Sequence, residues 1–216
     1  KMEAEFWHGK WEREEIAFHL AQANPLLTQH VASLQLAPGA RVFLPLCGKT
    51  LDIHWLRQGG YRLAGIDLSE IAIRALFEEL QLQPVVTQHA DLLRFSADGI
   101  DMWVGDFFSL DATLLGTVDA VYDRAALVAL PPAMRAAYSQ HLQALSQYAA
   151  QLLITYEYEQ ALADGPPFAV LTSEVQQHYA QRYQLSHLTR VAVAGGIKGK
   201  APATESVWLL QACTDV

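Results

Sequence analysis

The chain has 216 residues, 51% of them hydrophobic and 18% charged, with a formal net charge of −8. That is the make-up of an ordinary α/β domain, large enough to bury a substantial core, and its acidic balance argues against a protein built to grip nucleic-acid phosphates. Two distant cysteines, Cys47 and Cys213, are no disulfide framework and point to a reducing compartment. No stretch approaches eighteen unbroken apolar residues and Lys1 to Trp11 carries no apolar signal core, so a cytoplasmic protein without a membrane partner is expected.

Trp7 to Ala23 shows helical patches, and Asn24-Pro25 offers a helix start with proline at the first helical position. Leu26, Leu27, His30, Val31 and Leu34 continue one face. After the Pro38-Gly39 turn, Arg41 to Leu46 reads as a first strand. Thr50 to Gln58 reads as a helix closed by Gly59-Gly60, and Arg62 to Asp67 as a second strand. Ser69 is placed to cap a helix reaching about Leu80. Pro84 to Phe95 alternates loosely, as a β-arm would. Strands follow at Asp101 to Val104, Val118 to Tyr122 and Leu152 to Tyr156, with a helix from Pro131-Pro132 to about Leu145. Gly165-Pro166-Pro167-Phe168 is a rigid loop. A helix near Ser173 to Arg182 and strands near Leu188 to Val193 and Ser206 to Ala212 complete the pattern. Strands alternating with helices imply βαβ units, a parallel sheet and right-handed crossovers. Neither a repeat nor a linker interrupts it, so residues 1–216 read as one domain.

The residues that carry chemistry stand at the strand ends. Gly48 follows the first strand, and Asp67 closes the second nineteen residues later. A glycine there lets the backbone approach a ligand, and an acid at the neighbouring tip accepts hydrogen bonds from both hydroxyls of a ribose. Which nucleoside cofactor this serves is decided at the turn. A dinucleotide site wants G-x-G-x-x-G, and a Walker loop wants a glycine five residues before Gly48, where Phe43 stands. With a ribose acid and no pyrophosphate cradle, S-adenosylmethionine fits best, being an adenosine without phosphate.

Asp106, after the third strand, can accept a bond from an adenine amine with Phe107 or Phe108 against the ring; alternatively it caps the next helix and the phenylalanines are core. Trp7 and Trp11 stand four apart and share a face if helical, where they attract a sulfonium by cation–π contact or simply pin an N-terminal helix. Asp123-Arg124 follows the fourth strand. Arg124 can take a carboxylate in two-point fashion, either the methionine end of the cofactor or an anionic substrate, while Asp123 can instead form a buried structural ion pair. Cys47 invites a nucleophile reading against one as a small packing residue. The eight histidines are dispersed without metal-ligand spacing, so no metal is expected.

Taken together, "FWHGKW" at Phe6–Trp11, "PLCGK" at Pro45–Lys49, "GIDLSE" at Gly65–Glu70, "GDFF" at Gly105–Phe108, "YDRAALVALP" at Tyr122–Pro131 and "GPPF" at Gly165–Phe168 resemble the thiopurine S-methyltransferase family, particularly its bacterial members. The resemblance implies a class I, Rossmann-like methyltransferase fold: a seven-stranded, mostly parallel sheet with one antiparallel strand, helices on both faces, and residues 1–36 as a helical cap over the cofactor site. It implies that S-adenosylmethionine is the co-substrate, bound by the residues matching Trp11, Leu46, Asp67 and Arg124; Gly48, Asp106 and Phe107 join that expected set from their own positions at the strand ends. Many members carry glutamate where Asp67 stands, and some carry an arginine within the segment matching 194–205, which here has Lys198 and Lys200 instead. The implied reaction is methyl transfer to an aromatic thiol by a monomer, with Arg124 and Asp123 orienting and no dedicated base. The other readings are methylation of selenium, tellurium or another small nucleophile in detoxification, and a sensor that holds the cofactor without transfer.

Overall fold

Asn24 starts the first helix of the structure, a computed structural model that describes residues 22–214. Its Oδ1 accepts the Leu26 N–H at 2.9 Å, and α1 (Pro25–His30) passes into a 3₁₀ turn, Val31–Leu34. Trp7, Trp11 and most of the expected cap lie outside the described residues. The chain divides into two units: residues up to Gln29 with Leu36–Asp119, and His30–Gln35 with Ala120–Val216.

In the first unit, β1 (Arg41–Pro45) is wholly buried, and Thr50 caps α2 (Leu51–Gln58) by accepting the Asp52 N–H. β2 (Arg62–Asp67) lies parallel to β1, and α3 (Glu70–Glu79) follows, capped by Ser69, whose Oγ accepts the Ala72 N–H at 3.1 Å. Ala72, Ile73, Leu76 and Phe77 form its buried stripe at helical spacing. The expected β-arm is a hairpin of β3 (Val85–His89) and β4 (Leu92–Ala97), which pairs antiparallel with β5 (Ile100–Val104). β5 in turn pairs parallel with β2, and α4 (Ala112–Leu115) closes the unit, with strand order β3-β4-β5-β2-β1.

One polar cluster clamps three of these strands. Asp101 of β5 meets Arg41 of β1 at 3.0 Å and Arg94 of β4 at 2.8 Å, and accepts the Ser96 hydroxyl at 2.7 Å. Burial alone would raise the Asp101 carboxyl, but hydrogen bonds from Ser96 and Arg94 and the two arginine charges outweigh it and hold its pKa below the ordinary value.

In the second unit, β6 (Ala120–Asp123) is followed by α5 (Pro132–Leu145), with proline at its first position as expected. β7 (Ala150–Tyr158) lies parallel to β6, α6 (Thr172–Tyr179) leads to β8 (Tyr183–Ala192), and β9 (Ala203–Ala212) runs antiparallel to both β7 and β8. The order is β6-β7-β9-β8. These four strands with β5, β2 and β1 supply the seven expected, β9 being the antiparallel one; the β3–β4 hairpin is an addition to that set. The fold is that of the class I, Rossmann-like type. No helix among the described residues is long and apolar enough to cross a membrane.

Candidate active site

The turn after β1 is built around two left-handed residues. Gly48 has φ +56°, which glycine adopts at no cost, but Leu46 has φ +50°, which costs a leucine roughly 1–3 kcal/mol. The Cys47 N–H donates to the Ile66 carbonyl at 3.2 Å, tying the turn to β2. Asp67, at the tip of β2, then joins both neighbouring turns: Oδ2 accepts the Gly48 N–H and Oδ1 the Ser69 N–H, each at 2.9 Å. The glycine and the acid that the spacing singles out are therefore hydrogen-bonded to each other. Asp67 is 8% exposed, and a carboxylate has about four lone-pair sites. One amide on each oxygen holds the carboxylate at the strand tip, and a carboxylate there is the acceptor a ribose diol requires.

The tip of β5 is joined to the same place, because the Gly105 N–H donates to the Asp67 carbonyl at 3.0 Å. Gly105 has φ +144°, and a Cβ there would meet Leu92 Cδ2 at 2.5 Å, so only glycine makes this bend. Asp106 Oδ1 accepts the Phe108 N–H at 2.9 Å and so opens a 3₁₀ turn, Phe107–Ser109. Phe107 is 4% exposed and Phe108 40%; their rings meet edge-on at 5.4 Å. The first unit thus brings Leu46, Gly48, Asp67 and Asp106 together at the carboxyl ends of β1, β2 and β5. Cys47 is half-buried beside them, its thiol pKa pushed well above the ordinary value by burial and by the Asp67 charge. It packs tightly: a Cβ on Gly65 would meet its Sγ at 2.9 Å and Met102 Sδ at 2.7 Å. A protonated, wedged thiol is a poor nucleophile.

Asp123 and Arg124 belong to the second unit. Asp123 is 0% exposed; its Oδ2 accepts the Tyr138 hydroxyl at 2.7 Å, and its Oδ1 the Ala126 and Leu127 N–H groups at 3.1 and 3.2 Å. Burial raises its carboxyl pKa against the lowering pull of those three donors. Its carboxylate is committed to shaping the turn that carries Arg124. Arg124 is half-buried, and its charge acts on Tyr156 and Glu205. Tyr156 is pushed up to about 12 by burial and by the Glu205 carboxylate. Burial raises the Glu205 carboxyl, partly offset by the Arg124 charge and the nearby phenol. Sequence reasoning misses Tyr156 and Glu205, since what joins them is strand register. Lys198 and Lys200 are exposed in the loop between β8 and β9. Among the described residues no group of three or more His, Cys, Asp or Glu side chains is placed to hold a metal ion.

A family model described as thiopurine S-methyltransferase matches residues 2–211. A thiopurine S-methyltransferase of Teredinibacter turnerae is 52% identical over 209 residues, covering 97% of each chain. One of Xanthobacter autotrophicus is 50% identical over 211 residues, covering 97% of this chain and 99% of its own. Among solved structures, an S-adenosylmethionine-dependent methyltransferase of Anabaena variabilis superposes with a TM-score of 0.65 at 15% identity, covering 97% of this chain and 95% of that one. A Burkholderia thailandensis 1,6-didemethyltoxoflavin-N1-methyltransferase with bound S-adenosylhomocysteine gives 0.64 at 15% identity, covering 97% and 87%. At that identity the two structures speak for the fold alone.

Proposed function

The chain belongs to the thiopurine S-methyltransferase family, and on that premise we propose that it methylates the sulfur of aromatic and heterocyclic thiols. Its co-substrate is S-adenosylmethionine, which supplies an electrophilic methyl carbon on a sulfonium. The observation that carries the reading is the Asp67 carboxylate, fixed by Gly48 and Ser69 at the tip of β2 beside the Leu46–Gly48 turn. Asp67 would hold the ribose diol, the Leu46–Gly48 turn would flank it without phosphate contacts, and Asp106 with Phe107 or Phe108 would meet the adenine. Trp11 is proposed as an aromatic partner of the sulfonium, and Arg124 as the holder of an anionic group on the cofactor or substrate.

The thiol sulfur forms a bond to the methyl carbon as the carbon–sulfonium bond breaks and S-adenosylhomocysteine leaves. The thiol proton is lost to solvent beforehand, because heteroaromatic thiols ionise below the ~8.5 of cysteine. Alignment and water exclusion then do most of the catalysis, worth about 7–11 kcal/mol when the reacting atoms are well placed. Asp123, being buried, acts through the Arg124 turn and is not a base.

Residues 1–216 are proposed to serve as one methyltransferase domain with 1–36 as cap, supported by the span of the family match. Proposed with it, on composition and on the family, are a monomeric cytoplasmic enzyme with neither nucleic-acid nor membrane partners and a part in detoxifying thiols or selenium and tellurium compounds. The test is a panel of aromatic thiols and chalcogen anions with methyl-labelled donor. Label recovered on thiol sulfur is expected; tight donor binding without turnover of any thiol would overturn the reading.

A further inference from the structure

The sheet of the second unit extends past its own parallel pairing. β6 stops at Asp123, opposite Leu153, while β7 continues to Tyr158. Arg124 comes next in the chain, half-buried in the bend that follows β6, where β7 runs on past Leu153. Tyr156 is in register with Glu205 of β9, so the phenol and the carboxylate share one face of the sheet just past the end of β6. The Arg124 charge acts on both, pulling the phenol and the carboxyl down against their burial.

Pairing of β7 with β9 does not require an acid at this position. The register continues without break from Gln151 opposite Leu210 to Tyr158 opposite Ala203, and its other partners are largely apolar or small. A partly buried ion pair is seldom more stabilising than a well-packed apolar pair. Glu205 therefore costs the sheet something, and its charge stands where it changes what Arg124 offers a ligand.

We propose that Glu205 is a specificity-determining residue: its carboxylate, in register with Tyr156 across β7 and β9, partly neutralises Arg124 and so sets how strongly that guanidinium draws an anionic group of the bound molecules. The group concerned is a carboxylate, either at the methionine end of the methyl donor or on an acidic aromatic thiol. The inference rests on the methyltransferase reading above.

Glu205→Gln tests it, because the amide keeps the size and shape of the side chain while the charge is lost. Two ligand pairs separate the sources of the carboxylate. S-adenosylhomocysteine against methylthioadenosine, which lacks the carboxylate, is measured by calorimetry. Para-mercaptobenzoate against para-methylbenzenethiol is measured by the split of KM and kcat. The carboxylate-bearing member of one pair should tighten roughly 3- to 10-fold, its uncharged counterpart should not move, and Glu205→Asp should restore the wild-type ratio. The pair that responds identifies what Arg124 holds. Equal changes in both members of each pair, no change in any, or weaker binding of the carboxylate-bearing ligands overturns the inference. Wild-type protein that fails to bind S-adenosylhomocysteine overturns the methyltransferase reading and this inference with it; normal wild-type binding with an unresponsive Glu205→Gln overturns this inference alone.

Discussion

Asp67 and Asp123 are the same residue at the same kind of place, the last position of a parallel strand, yet their surroundings differ. Asp67 takes a backbone N–H from the turn after β1 on one oxygen and from the turn before α3 on the other, and stays 8% exposed. Asp123 takes two amides and a phenol and is 0% exposed. Position at a strand tip therefore does not make an acid a ligand acid. Access to solvent, and whether the carboxylate also takes a phenol from another element as Asp123 does, separate the two.

The largest expected effect lies on the Asp67 side. Asp67→Asn sets an amide donor against the Gly48 or Ser69 N–H and loses a charged acceptor for the ribose, at ~1.5–3 kcal/mol per hydrogen bond to a charged group. S-adenosylhomocysteine should bind about 100-fold more weakly by calorimetry, two such bonds being compromised. An affinity that holds would end the ribose assignment.

Asp123→Ala comes next, and it should act on stability. Two amides and the Tyr138 hydroxyl lose their partner, so unfolding in urea should show a loss of about 2–4 kcal/mol, while ligand affinity of the folded protein changes by no more than ~3-fold. If affinity collapses while stability holds, the comparison is inverted and Asp123 belongs to the reacting centre.

A smaller effect distinguishes the acids by pH. Burial raises the folded Asp123 pKa above its unfolded value of about 4, so the native state binds that proton more tightly. The contribution is fully present below the unfolded value and is lost as pH rises through the folded one. Urea midpoints followed upward from pH ~4 should therefore fall more steeply in wild type than in Asp123→Asn. Parallel curves would mean that Asp123 titrates normally.

The smallest change is expected at Cys47. Its thiol is wedged against Gly65 and kept protonated, so Cys47→Ser should leave kcat/KM for an aromatic thiol within about 3-fold. A loss near that of Asp67→Asn would restore the nucleophile reading.

How far all this was legible in the sequence follows from the range of the interactions concerned. Ser69 as helix cap, proline opening α5, and the pairing of Gly48 with Asp67 are local or adjacent-strand features, and the structure has each of them. The alternatives left open at Asp106 and Phe107 needed coordinates, because a cap and an adenine acceptor ask for the same side chain. β8 starts at Tyr183, earlier than its expected start near Leu188, and its mixed exposure shows little two-residue alternation to announce it. Five strand residues of the hairpin edge, Val85–His89, are largely exposed for the same reason. The Tyr156–Glu205 pair was invisible, since register between β7 and β9 is set by packing across a long stretch of chain. The full burial of Asp123 was equally hidden, because Tyr138 reaches it from a different element.

The contrast between the two acids can be read without mutation from the side-chain carboxyl carbon resonances of Asp67 and Asp123, followed by NMR as S-adenosylhomocysteine is added to wild-type protein. The account predicts that the Asp67 signal moves and saturates with the ligand while the Asp123 signal stays in place. Movement of Asp123 with Asp67 unmoved would contradict it.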